Sequence, residues 1–172
     1  MPGTKLPYVV HLSNVVMEIL VAALYTEEYD LDFAVQVALL HDIIEDTATT
    51  YDELAEHFGS KVADGVLALT KNKELPAERQ NGESLERIQK LQKEVWAVKL
   101  ADRITNLQPP PFTWNKKKIS EYREEASLIL HTLKGGNKYL AERLEAKINF
   151  YDGFILDDSD LLHRTKPAGS QF

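Results

Sequence analysis

The sequence predicts an all-α protein folded as a single domain. Three observations carry that reading. Apolar residues recur at helical spacing in one segment after another. No stretch shows sustained period-2 alternation bounded by turn residues. No internal repeat, and no linker long enough to divide the 172 residues, interrupts the pattern. An apolar content of 44% allows a sizeable core and argues against disorder.

The elements follow in order. Segment 11–25, "HLSNVVMEILVAALY", presents Val15, Val16, Ile19, Leu20 and Ala23 at helical spacing. Segment 31–46 repeats this through Phe33, Val37, Leu40 and Ile44, and is expected as one helix. Thr50-Tyr51-Asp52-Glu53 has the form of a capping box opening a short helix. Gly59 is a natural stop, and Ser60 a natural cap for a helix to about Leu69. Residues 70–83, "TKNKELPAERQNGE", are polar and hold a proline and a glycine, so a loop with at most a helical turn is expected. A helix over 84–107 follows, with a break allowed near Gln92, and Pro109-Pro110-Pro111 ends it. A helix from about Lys117 to Leu133 is closed by Gly135-Gly136, and a last one covers 138–150. The domain is therefore expected over 1–150, with 151–172 as a tail ending in the frayed "HRTKPAGSQF".

Composition narrows the function. No cysteine is present, which excludes a disulfide scaffold, a Cys-ligated zinc and a cysteine nucleophile. It is compatible with a reducing cytoplasm, the expected setting. The net charge is -7 and no basic stripe stands out, which argues against general nucleic-acid binding. No basic stretch followed by an apolar one opens the sequence, so no secretory signal is expected. The apolar runs are too short and interrupted to span a bilayer. No Walker-type glycine loop and no G-x-S-x-G element occur, which weakens P-loop and esterase readings. Oligomeric state is not set by the sequence.

Within "ALLHDIIEDTATTYDEL", residues 38–54, an apolar run suddenly carries His41, Asp42, Glu45 and Asp46. On one continuous helix, His41 neighbours Glu45 and Asp42 neighbours Asp46. Either the helix surfaces here, or these groups are buried and must be paired or metal-bound. Acids at a helix C-terminus oppose the dipole, which leans against a purely structural role. In "EVWAVKLADRITNL", residues 94–107, Lys99, Asp102, Arg103 and Asn106 fall on one narrow face. Taken alone, a solvated stripe explains it. His11 alone is explained by a capping or surface position.

Taken together, a histidine on the first helix, a His-Asp pair on the next and an aspartate on a later one are able to converge between packed helices. Two imidazoles with two carboxylates suit a divalent ion such as Mn, Fe, Co or Ni, and leave octahedral positions for water and substrate. Such an ion lowers the pKa of water toward about 7, and a carboxylate such as Glu45 can take the remaining proton. His57, His131 and His163 stand outside the pattern and are read as surface or packing residues, which leaves one metal.

The ordered set "H…HDIIEDT…VKLADRITNL" resembles the HD-domain metal-dependent phosphohydrolases. Within them it is most similar to the hydrolase domain of RelA/SpoT-type proteins and the small alarmone hydrolases. "LPYVVH" at 6–11, "ALLHDIIEDT" at 38–47, "FGSKVADGVLALTKNKELP" at 58–76 and "VKLADRITNL" at 98–107 carry the likeness. Trp114 with Glu121-Tyr122 also fits, so the resemblance covers roughly residues 5–133. It implies a helical HD-domain fold in which His11, His41, Asp42 and Asp102 hold one metal, manganese first among the choices. It implies that Glu45 and Asp46 position or deprotonate the attacking water. Asn106 would contact the nucleotide, Tyr122 would pack near the base or ribose, and Lys73, Arg79 and Lys99 would meet phosphates.

The implied activity is removal of the 3′-pyrophosphate of guanosine tetra- or pentaphosphate, giving GDP or GTP plus pyrophosphate. The partner is then a small nucleotide. Two alternatives stay open: an HD phosphohydrolase acting on another nucleotide or dinucleotide phosphate, and a non-catalytic nucleotide-binding module. Two departures bear on the substrate. Relatives place a helix with basic residues before the "PY…H" element, and since this sequence begins at Met1-Pro2-Gly3 that helix is expected to be missing. The usual His-Pro is His11-Leu12. Neither departure removes a metal ligand.

Overall fold

A computed structural model describes residues 6–155. Among them all regular structure is helical, as expected. The helices are α1 (Tyr8–Ala23), α2 (Leu31–Leu40), α3 (Ile43–Asp46), α4 (Tyr51–Phe58), α5 (Ser60–Leu69), α6 (Ala77–Ile88), α7 (Lys93–Asn106), α8 (Lys116–Leu133) and α9 (Lys138–Tyr151), with a 3-10 turn over Asp152–Phe154. Among the described residues, no helix is long and apolar enough to cross a membrane. The terminus expected to fray and His163 lie outside the described residues.

Helix α7 is the axis of the molecule, packed against α1, α2, α8 and α9. Val95, Ala97, Val98, Leu100, Ala101 and Ile104 are all buried, so apolar contact covers the helix except on the face that carries Lys99, Asp102 and Asn106. Around it close Val15 and Ile19 of α1, Val37 of α2, Ile129 and Leu133 of α8, and Leu140 and Leu144 of α9. The α8–α9 turn comes close to α7: a Cβ on Gly136 would stand 2.5 Å from Trp96 Cβ, so only glycine fits.

Local signals set most boundaries. Thr50 Oγ1 accepts from Glu53 N at 3.3 Å while Glu53 Oε2 accepts from Thr50 N at 2.8 Å, a complete capping box. Asp30, Asn115 and Asn137 cap α2, α8 and α9 through side-chain oxygens. Gly59 turns α4 into α5 with φ of 83°, and it occupies the cap position expected of Ser60, which is instead the first helical residue. The chain does break before α7, where Gln92 takes an extended backbone.

Two elements differ from expectation. The polar stretch over 70–83 becomes helical from Ala77, because α6 is a surface helix that buries only Ser84, Leu85 and Ile88 and tolerates Gly82 in open space. The helix expected over 31–46 breaks at His41-Asp42. His41 Nδ1 bonds the Ala38 carbonyl at 2.8 Å, the acceptor that the Asp42 amide of an unbroken helix would use. At the far end α9 runs one residue beyond 150, and the buried Tyr151 belongs to the core.

Candidate metal centre

The break at His41-Asp42 and the first turns of α1 meet the middle of α7. His11 is 3% exposed, His41 2% and Asp102 8%. One ligand atom from each lies within 4.8 Å of the others. His11 Nε2 stands 3.4 Å from Asp102 Oδ1, and His41 Nε2 3.7 Å from the same oxygen. Asp42 reaches the group from the side, its Oδ2 being 3.1 Å from His41 Nε2 and hydrogen-bonded by the Tyr8 hydroxyl.

The protonation pattern suits a cation. The Ala38 carbonyl can only accept, so His41 Nδ1 carries its proton and Nε2 faces the carboxylates. His41 Nε2 is buried and lacks a hydrogen bond of acceptable geometry. A buried ring nitrogen aimed at two carboxylates holds a proton toward them, and a divalent ion would take that proton's place. Burial alone would lower the His41 pKa, but Asp102 and Asp42 override it and raise it to about 10. Burial likewise pushes against Asp102, yet His11, His41 and Lys99 hold its carboxyl well below the usual range. Asp42 is lowered in the same way, with His41 and Tyr8 outweighing burial. The donor set therefore fits a divalent ion.

A cavity of about 330 Å³ opens beside Asp102. Glu45, Lys71, Lys99, Arg103, Asn106, Lys118 and Tyr122 are among its walls, with Asp42 at the metal edge. Asn106 Nδ2 donates to Asp102 Oδ1 at 2.6 Å, and Lys99 Nζ lies 3.6 Å from Asp102 Oδ2. Tyr122 packs edge-on to Trp114 at 5.1 Å and under the Arg103 guanidinium at 4.6 Å. Burial above all pushes its hydroxyl up to about 12, so it stays protonated. Glu45 Oε2 accepts from the Lys71 amide at 3.3 Å, and Lys73 Nζ donates to the Glu45 carbonyl at 2.9 Å.

The structure thus brings together His11, His41, Asp42, Asp102, Glu45, Asn106, Tyr122 and Lys99. Asp46 is exposed and lines a second cleft, of about 400 Å³, with Tyr8, Leu12, Leu39 and Asp42. Lys73 sits on the outer side of α3, while Arg79 is exposed in the first turn of α6 and does not line the Asp102 cavity. The stripe is no plain solvated face: Asp102 and Arg103 are buried, and Lys99 and Asn106 are half-buried along the cavity. His57 and His131 are exposed, as expected. Sequence reasoning missed Lys71, Lys118, Tyr8 and Thr105. Lys118 hides within Lys116-Lys117-Lys118, which reads as plain solubility, and Tyr8 precedes the helix start assigned at His11.

Residues 2–134 match the HD domain family model, and the chain belongs to that family. Among curated relatives, it is similar to the guanosine-3′,5′-bis(diphosphate) 3′-pyrophosphohydrolase MESH1 of Danio rerio, 36% identical over 115 residues, 64% of each chain. The human protein of the same name is 37% identical over 114 residues, with the same coverage, so the matched part spans about 64% of these relatives. The Drosophila melanogaster one is 30% identical over 143 residues, 81% of this chain and 78% of its own. A solved metazoan ortholog of SpoT, described as hydrolysing ppGpp and having a role in starvation responses, superposes with a TM-score of 0.73 at 28% identity. That match covers 88% of this chain and 84% of the ortholog. A Listeria monocytogenes protein with a TM-score of 0.67 and 23% identity shares the fold.

Proposed function

We propose that this protein is a metal-dependent phosphohydrolase that removes the 3′-pyrophosphate of guanosine tetra- or pentaphosphate. The observation that carries the reading is the buried His11, His41 and Asp102 group, with His41 Nε2 turned toward Asp42 and Asp102, set at the edge of a cation-lined cavity. The activity for which the MESH1 relatives are named supports this substrate. The same reading takes the cytoplasm as its setting.

His11, His41, Asp42 and Asp102 would hold one divalent ion, manganese first and iron, cobalt or nickel also suited. When bound, such an ion offsets phosphate charge and acidifies water toward a pKa of about 7. Glu45 faces the cavity and would take the proton of the water that attacks the 3′-phosphorus. The water oxygen would bond to that phosphorus as its bond to the ribose 3′-oxygen breaks; the 3′-oxygen departs, receiving the proton held by Glu45 or one from solvent, and pyrophosphate is released. Asp46, beyond Asp42, would orient water from the second cleft. Asn106 is held by Asp102 with its carbonyl left to contact the nucleotide, and Tyr122 offers a ring edge to base or ribose. Lys99 would meet a phosphate inside the cavity, while Lys73 and Arg79 would act only on parts of the substrate that extend past α3 and α6.

The test is product analysis of manganese-loaded protein with guanosine tetraphosphate beside a panel of nucleotides and dinucleotide phosphates. GDP plus pyrophosphate, lost with chelator and with Asp42→Ala, is the expected result. Phosphate released from another panel member would replace the substrate and keep the chemistry. Nucleotide binding without turnover would leave a binding module.

A further inference from the structure

The two histidines of the metal centre are oriented by different devices. His41 Nδ1 is tied directly to a main-chain carbonyl, Ala38 O. Among the described residues, His11 has no such carbonyl. Its Nδ1 lies 3.2 Å from the hydroxyl of Thr105, one turn along α7 from Asp102 and 6% exposed. The same hydroxyl bonds the Asp102 carbonyl at 2.9 Å.

We propose that Thr105 is the positioning residue that sets the metal-binding tautomer of His11. It rests on the metal reading above. Thr105 has one hydroxyl proton, and the Asp102 carbonyl can only accept, so the proton points there. The hydroxyl then offers only lone pairs to His11, and Nδ1 must be the donor. Nε2, 3.4 Å from Asp102 Oδ1, is left bare toward the ligand group. The reverse tautomer would face Nδ1 and Thr105 with two acceptors and one proton already committed. Thr105 thereby fixes a ligand on α1 and is itself fixed by the main chain of the residue that supplies the carboxylate. Removing such an outer hydrogen bond typically weakens a site about 10–100-fold.

The experiment compares manganese affinity, by calorimetry, for the parent, Thr105→Val and Thr105→Ser. Valine keeps the shape and loses the hydroxyl; serine keeps the hydroxyl. Thr105→Val should bind manganese about 10–100-fold more weakly, and Thr105→Ser close to the parent. Long-range proton–nitrogen NMR of the zinc-loaded parent, a diamagnetic stand-in, should show His11 protonated at Nδ1. Equal affinity in parent and Thr105→Val overturns the proposal alone, and so does a proton on Nε2. A parent that binds no manganese overturns the metal reading with it. Should Thr105→Val fail to fold, the parent NMR decides.

Discussion

Helix α7 and the α2–α3 break supply the same site by opposite means. α7 is unbroken and buried nearly all round, and its helical repeat alone brings Lys99, Asp102 and Asn106 onto one line beside the cavity. At His41-Asp42 the helical repeat is interrupted, and α3 buries none of its residues. One region holds a carboxylate in place by packing. The other turns a chain outward so that Glu45 and Asp46 face open clefts. Groups that must stay put are placed inside the core. On the proposed reading, groups that exchange protons with water stand at its edge.

The comparison breaks most sharply at Asp102. Asp102→Ala should abolish manganese binding by calorimetry and turnover with it, because both histidines face this one carboxylate. It should also cost about 3 kcal/mol in urea unfolding, since Lys99 and His41 lose their buried partner. If the metal still binds, α7 does not supply a ligand. Glu45→Gln should do the reverse. Turnover should fall by about 10²–10⁴ while unfolding stays within about 0.5 kcal/mol and manganese content is unchanged. Loss of metal there would make Glu45 a ligand.

A packing control separates the two regions further. Leu100→Ala, on the apolar side of α7, should destabilise by about 2–5 kcal/mol. Residual folded protein should keep the parent's manganese affinity, measured at a temperature well below its melting point. The smallest effect is at the far end of α2. Asp30 accepts from Lys61 at 2.6 Å and from the Phe33 amide, and these hold its carboxyl below its ordinary 3.8, the Lys61 bond most. A lowered folded pKa means stability present above the ordinary value and lost as pH falls through the lowered one. Parent and Asp30→Asn should differ by roughly 0.5 kcal/mol at pH 6, and the gap should close below pH 3.8. A gap that widens in acid would reverse the sign of the Asp30 contribution.

Helix content, most boundaries and the ligand residue types were legible because they are local. Apolar spacing marks α1, α7, α8 and α9, and Thr50-Glu53 states its own cap. The convergence of His11, His41 and Asp102 was legible only as a possibility of packing, strengthened by the family resemblance. The polar start of α6 misled because proline and glycine outvoted a short amphipathic face around Leu85 and Ile88.

By itself, then, the sequence determined an all-α domain and a set of ligand-type residues on three helices. Periodicity and side-chain chemistry act within a few residues, so a chain shows them without folding. Only the tertiary structure decided that the helix ends at His41, since that depends on a side chain taking the Ala38 carbonyl inside a packed core. It alone put Glu45 and Asp46 in different clefts and turned the Lys99–Asn106 stripe into a cavity wall. It alone joined Thr105 to His11 across 94 positions of sequence. Distances between helices are set by how their side chains fill the space between them, and no local pattern encodes that.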